Sequence, residues 1–398
     1  MRVGVYFADF APQTGGAFAF VANILGKICE VAESSDHEFV LLCEPKAAEF
    51  VRDKPRARNV AVVCLSARSR LSRRLSNLRY LPPIVRLFVT RPGPIERAAR
   101  KHGVQLLWFV GTGVHESPDI PYVATVWDLQ HRVQPFFPEV SSAGLWDKRE
   151  LFNRYFVGRA AFCITGTEAG KREIERFYGL APGHGRVIPF PTPSIEDSAK
   201  TSNLDIRERF GCDRKFVLYP GQFWPHKNHA NLILALKWLR DTRDLDLGLV
   251  LPGTDKGNLS FIKAFCRETG MDDRVYYPGF VSTEELIALY RQAEVLAFVT
   301  YFGPDNIPPL EAFALGCPVV CSEVDGAAEQ YGDAAIRVHP SKPHEIGRAI
   351  ESVIADRALR DRLVSAGFKR AAVSTPESYI REVFRIFDEF AEVRRNWP

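Results

Sequence analysis

The stretch Val295–Ser322, VLAFVTYFGPDNIPPLEAFALGCPVVCS, constrains this chain more than any other. Val295–Thr300 is an apolar, β-branched run that reads as a strand. A loop of Gly, Pro, Asp and Asn follows, then a helical pattern over Leu310–Leu315 that Gly316 stops. Pro318–Cys321 reads as a second strand. Strand, loop, helix, strand is the repeating unit of a parallel α/β sheet. Pro308 and Pro309 suit a first helical turn, where the missing N–H is not needed. The free N–H groups of such a turn can hold an anion or a hydroxyl. Glu311 sits in that turn, either as a partner of the helix dipole or as an acceptor facing a ligand.

The rest of the chain repeats this unit. Strand-like runs are predicted at Arg2–Phe7, Glu38–Cys43, Val60–Leu65, Leu106–Val110, Tyr122–Val126 and Phe162–Thr165. Helical segments intervene at Phe18–Val31, Lys46–Asp53, Pro94–His102, Leu145–Arg159 and Glu168–Tyr178. Alternation over this length predicts a doubly wound sheet. The Pro-rich, then polar, segment Arg186–Asn203 reads as a linker. A second series begins with strands at Phe216–Pro220, Leu247–Leu251, Val275–Tyr277, Val295–Thr300, Pro318–Cys321 and Ala335–Val338. Helices are predicted at His229–Arg240, Pro343–Ala355 and Arg357–Arg370. A long amphipathic helix, Glu377–Val393, closes the chain. Two domains follow, 1–195 and 196–376, each built on a Rossmann-like parallel sheet.

Three loops at expected strand ends carry candidate chemistry. In YPGQFWPHKN, Tyr219–Asn228, a Gly turn puts Lys227 near the start of a helix. An ammonium there is unfavourable unless an anion lies between; the alternative is a solvated surface lysine. In PYVATVWDLQH, Pro121–His131, a strand ends at Trp127–Asp128, where ligands of open α/β sheets sit. Asp128 and His131 are therefore candidates for reaction chemistry, or a turn cap and a surface histidine. Gly15–Gly16 lets backbone approach a ligand closely. Asp244 and Asp246 form an Asp-x-Asp pair between a helix and a strand start, and read as a surface turn.

PPLEAFALGCPVV together with PHKN resembles the signature of retaining glycosyltransferases of family 4. That resemblance implies the GT-B fold, two Rossmann-like doubly wound sheets facing across a cleft, with helix 377–398 packing back on the N-terminal domain. It implies a metal-independent transfer of a sugar, such as mannose, rhamnose or a similar hexose, to a glycan or lipid-linked acceptor. No cofactor is implied beyond a GDP- or UDP-linked donor substrate. The donor contacts implied are Gly15, Gly16, Gln222, Lys227, Asp305, Asn306, Ile307, Pro308 and Glu311. Lys227 would meet the diphosphate and Glu311 the ribose; Asp128 and His131 would serve the reaction. Three positions depart from the family pattern. Gly303 stands where a first Glu contacts the sugar, Gln222 where an Arg follows the Gly, and Trp127 where a His precedes Asp128. Those departures keep two alternatives open: another sugar-nucleotide enzyme of this fold, an epimerase or hydrolase, or a catalytically weak sugar-nucleotide or glycan-binding protein.

Composition narrows the classes. The net charge of +4 is too small to argue for nucleic acid. No apolar run reaches bilayer length, and the eight cysteines show no paired metal spacing. A cytoplasmic location is expected, with peripheral contact at the inner face of the membrane as one alternative. Ser66–Lys101 supports the membrane part: ten Arg or Lys and one acid, Glu96, interleaved with leucines. Arg68–Lys101 is either a basic face for an anionic surface or a solvated helix pair. On the first reading, replacing Arg68, Arg70, Arg73 and Arg74 by Gln lowers binding to anionic vesicles, and the difference shrinks at high salt. Native protein that ignores such vesicles at low salt leaves only the second.

Overall fold

A computed structural model describes residues 1–9, 16–52, 54–55, 57–65, 92–111, 116, 118–193 and 204–397. Gly15 and most of the basic segment lie outside these residues. The chain forms two compact units. The first comprises Met1–Phe136, Val140–Pro191 and Pro376–Pro398. The second comprises Phe137–Glu139 and Thr192–Thr375.

In the first unit the apolar runs become β1 (Arg2–Phe7), β2 (Glu38–Cys43), β3 (Val60–Cys64), β4 (Leu106–Phe109), β5 (Tyr122–Thr125), β6 (Phe162–Thr165) and β7 (Gly185–Val187). They pair in the order β3-β2-β1-β4-β5-β6-β7, all parallel, with Val5 opposite Leu41 on one side and Trp108 on the other. Side chains alternate across such a strand. Val3, Val5 and Phe7 therefore face one core while Tyr6 faces the other.

The helix Gly16–Val31 and the last helix, Pro376–Arg394, cover the first of these faces. Tyr379, Ile380, Val383, Phe384, Phe387 and Phe390 of the last helix are buried there. Phe384 stacks on Phe39 with ring centroids 4.7 Å apart.

The second unit holds β8 (Phe216–Leu218), β9 (Gly248–Pro252), β10 (Val275–Gly279), β11 (Val295–Phe298), β12 (Val319–Ser322) and β13 (Ala335–Val338). Their order is β10-β9-β8-β11-β12-β13, again all parallel. Chain direction across the sheet reverses between β8 and β11, where Leu218 lies opposite Leu296. The loops leaving these two strands therefore emerge side by side, as at the ligand crevice of open α/β sheets.

The structure corrects several expectations. Arg186 and Val187 are not linker but part of β7. Val299 and Thr300 lie past the end of β11, and the helix after it begins at Pro308 rather than Leu310. Among the helices not predicted are Ile206–Phe210, Ala327–Tyr331, Leu259–Thr269 and Thr283–Gln292. The last carries a readable start, since Ser282 and Glu285 form a capping box, which satisfies two otherwise orphaned N–H groups. Asp246 of the Asp-x-Asp pair is tied to Arg274 at 2.6 Å and Arg214 at 3.4 Å. No described helix is long and apolar enough to cross a membrane.

The closing helix supplies a direct test of its place in the first core. Phe387 is fully buried, whereas Val393 is 49% exposed. Phe387→Ala is expected to cost about 3–5 kcal/mol of stability and Val393→Ala less than about 0.5 kcal/mol. Urea unfolding followed by near-ultraviolet dichroism measures both, and equal stabilities would remove the helix from the core.

Candidate functional site

In the second unit the loop after β8 is built around glycine. A Cβ on Gly253 would stand 1.9 Å from the carbonyl oxygen of Gly221, so only glycine permits this approach. Gly221 N donates to Pro252 O at 2.9 Å. The chain then turns through Pro225–Lys227 into Asn228, a non-glycine residue at φ 61°. That left-handed conformation is uncommon outside glycine, and asparagine tolerates it best. The Asn228 amide is buried and donates to Val299 O at 2.8 Å and Pro340 O at 2.7 Å. Tyr301 N donates to His226 O at 2.8 Å. The loops leaving β8 and β11 are thus fastened together.

This fastening positions Lys227. Its Nζ lies over the Phe298 ring, 4.7 Å from the centroid, and has no ion pair or hydrogen bond among the described residues. Burial pushes the ammonium down to about 8, with the Glu139 charge pulling the other way. Glu139 itself receives the His226 backbone N–H at 2.9 Å and contacts His226 Nδ1 at 2.5 Å. His226 stacks on Phe302 with centroids 3.8 Å apart. His229 is sandwiched between Tyr219 and Phe223. Burial, then the nearby Lys227 charge, hold it neutral, at about 3. Gln222 Oε1 accepts from Trp224 Nε1 at 2.8 Å.

The loop after β11 explains one departure from the family pattern. A Cβ on Gly303 would lie 2.6 Å from Asp325 O, and one on Gly326 2.6 Å from Pro304 O. Backbone closes on backbone here, so no glutamate fits at 303 without moving the Asp325 carbonyl. Asn306 is occupied by the loop: its Nδ2 donates to Phe302 O at 3.0 Å, and Gln330 brackets its backbone at 3.0 Å on both sides. The oxygens of Asp305 are buried. Ile307 precedes the helix Pro308–Ala314 and accepts the N–H groups of Leu310 and Glu311. Glu311 Oε2 accepts from Tyr290 Oη at 2.7 Å. Burial raises the Glu311 carboxyl above its usual range, opposed by that hydrogen bond.

In the first unit, Gly16 begins the helix after β1. Trp127 packs edge-on to Phe20 at 5.6 Å, as part of the core margin. Asp128 Oδ1 accepts the Gln130 N–H at 3.0 Å and lies 3.5 Å from Arg149; its side chain is 36% exposed. It therefore fixes the turn and still reaches solvent. His131 does not lie on the surface. Its ring is fully buried, with Nε2 3.2 Å from Tyr178 Oη and 3.5 Å from Glu150. Burial, then the Arg149 charge, lower its basicity. Glu150 joins Arg132, Arg154 and Tyr178. Burial alone would raise its carboxyl, but these partners hold it below the usual range. The network pins three helices together, which gives His131 a structural use.

Residues 203–370 match the family described as glycosyl transferases group 1. An uncharacterized glycosyltransferase of Methanocaldococcus jannaschii is 28% identical over 65% of this chain and 66% of its own length. Mannosylfructose-phosphate synthase of Agrobacterium fabrum is 27% identical over 66% of this chain and 62% of its own. The chain thus spans less than two thirds of either relative. Sucrose-phosphate synthase of Thermosynechococcus elongatus superposes with a TM-score of 0.70 at 17% identity, over 98% of this chain and 99% of that one. Anabaena HepE in complex with UDP and glucose superposes at 0.68 and 17% identity, over 98% and 100%. These likenesses carry the fold, which is that of the GT-B glycosyltransferases.

The sequence pattern puts Lys227 and Glu311 each just beyond a strand, and the structure brings the two strands side by side; the pattern carries no signal for Phe298, Tyr290 and Glu139, which act on them. An ammonium with a pKa near 8 loses its proton as pH rises through that value. If it meets a diphosphate, the dissociation constant for UDP or GDP rises about tenfold between pH 7 and pH 9. In Lys227→Met the affinity is weak and pH-independent. Calorimetric titration across that range checks this, and a flat native profile contradicts it.

Proposed function

We propose that the protein transfers a hexose, such as mannose or rhamnose, from a GDP- or UDP-linked donor to a glycan or lipid-linked acceptor, with retention at the anomeric carbon. The observation that carries this reading is Lys227: a half-buried cation without a carboxylate salt bridge, beside a glycine turn, in the segment 203–370 that matches glycosyl transferases group 1. A cation so placed is arranged for an anion that arrives with the substrate. An O-antigen chain mannosyltransferase of Escherichia coli, 27% identical over 39% of this chain, supports a mannose-like sugar.

In this mechanism the bond between the anomeric carbon and the diphosphate oxygen breaks. The electron pair goes to the diphosphate, and Lys227 neutralises the developing charge. The acceptor hydroxyl attacks the same face and gives up its proton to the departing phosphate oxygen. Glu311 holds the ribose. Asp128, partly exposed in the turn after β5, orients a hydroxyl of the acceptor or donor. His131 serves by fixing that turn from beneath. Within the second unit, Asp305, Ile307 and Pro308 line the donor side, with Gln222 near the phosphates. No metal enters the scheme. The protein works in the cytoplasm, or against the inner membrane face through the basic segment.

A hydrogen bond to a charged group contributes about 1.5–3 kcal/mol. Lys227→Ala should therefore weaken nucleoside diphosphate binding about 10- to 100-fold. Asp128→Asn should lower turnover more than affinity, because its contact matters mainly in the transition state. The assay supplies UDP-glucose, UDP-galactose or GDP-mannose with and without a lipid-linked glycan and follows nucleotide release and product anomer. Acceptor-dependent release with retained configuration is expected. Equal donor turnover without acceptor would indicate a hydrolase or epimerase. Binding without turnover on any acceptor would indicate a sugar-nucleotide-binding protein, for which the closed backbone at Gly303 is the motive.

A further inference from the structure

We infer that Tyr290 is the positioning residue of the nucleotide site: its hydroxyl clamps one oxygen of Glu311 so that the other is presented to the ribose hydroxyls. The inference rests on the ribose contact proposed above for Glu311. Tyr290 lies on the helix Thr283–Gln292, which leads into β11; Glu311 lies on the helix Pro308–Ala314, which leaves it. The 2.7 Å bond from Tyr290 Oη to Glu311 Oε2 therefore ties together the two helices that flank the strand at the sheet's reversal.

Three observations make this more than a buried phenol finding a partner. First, Tyr290 is fully buried and has a second acceptor available, Pro308 O at 3.3 Å. The carboxylate is nonetheless the nearer by more than half an ångström, and the single phenolic proton serves the closer, charged acceptor. Second, no cation pairs with Glu311 among the described residues, and its Oε1 has no protein donor there. A half-buried carboxylate with one oxygen held and one open is set to accept from a ligand that brings its own hydroxyls. Third, the side chain of a glutamate has several rotatable bonds, and its ordering costs entropy. A rigid phenol anchored in the core removes that cost before the nucleotide arrives, which is the usual source of affinity in a preorganised site.

The test separates positioning from packing. Dissociation constants are measured by calorimetry for UDP, GDP and their 2′,3′-dideoxy counterparts, on the native protein, Tyr290→Phe, Glu311→Gln and the double variant. Thermal unfolding confirms that each is folded. The readout is the ratio of dideoxy to ribo dissociation constants for the tighter-binding base. The native ratio is expected at about 10 to 100, the range for hydrogen bonds to a charged group. Tyr290→Phe should cut the ratio at least threefold while leaving the dideoxy nucleotide's affinity within twofold. Glu311→Gln should bring it near one, and the double variant should match Glu311→Gln. A native ratio of one would overturn the ribose contact itself. A native ratio above ten that Tyr290→Phe leaves intact would overturn the positioning and leave the ribose contact standing. Equal losses for ribo and dideoxy forms in Tyr290→Phe would show a packing effect only and overturn the inference too.

Discussion

The carboxyl end of the second sheet depends on one buried amide. Asn228 spans the gap between the loops leaving β8 and β11 and reaches Pro340 after β13. Parallel strands leave their terminal carbonyls pointing at the crevice, and a buried carbonyl without a donor costs about 1–3 kcal/mol. The Asn228 side chain supplies that donor to two carbonyls at once. It does so from a left-handed backbone that turns the preceding residue, Lys227, over the Phe298 ring. Fold and site are therefore coupled through a residue that need not touch substrate.

Lys227 shows the energetic trade. A cation taken partly out of water without a carboxylate salt bridge is held at a disadvantage, which the Phe298 ring beneath it only partly offsets. Its lowered basicity is the measure of that disadvantage. The neighbouring Glu139 could have satisfied the charge, yet it is engaged with His226 instead. His229, neutral between two rings, adds no second positive charge. Among the described residues the unit thus keeps an unpaired cation, Lys227, after β8 and a half-open carboxylate, Glu311, on the helix after β11.

Much of this was legible in the chain. The alternation of apolar runs and periodic segments, and the Gly and Pro punctuation around Tyr219–Asn228 and Thr300–Leu315, reveal both loops and every described strand but β7. What escaped did so for physical reasons. β7 is three residues long and sits beside a Pro-rich segment, so its apolar signal is short. The burial of His131 follows from Glu150 and Tyr178, residues 19 and 47 positions away, which no local pattern reveals. Tyr290 is 21 positions before Glu311, and its contact exists only because the helix before β11 meets the helix after it. The unreadable glutamate position has a similar origin: Gly303 is dictated by Asp325 across a turn. The helix Thr283–Gln292 is the exception, since its capping box could be read directly.

The most direct measurement is a crystal structure of the protein soaked with a nucleoside diphosphate. The account predicts the diphosphate within hydrogen-bonding distance of Lys227 Nζ and the ribose hydroxyls on Glu311 Oε1, with the Tyr290 hydrogen bond retained. A nucleotide bound with its phosphates away from Lys227, or its ribose away from Glu311, would contradict it.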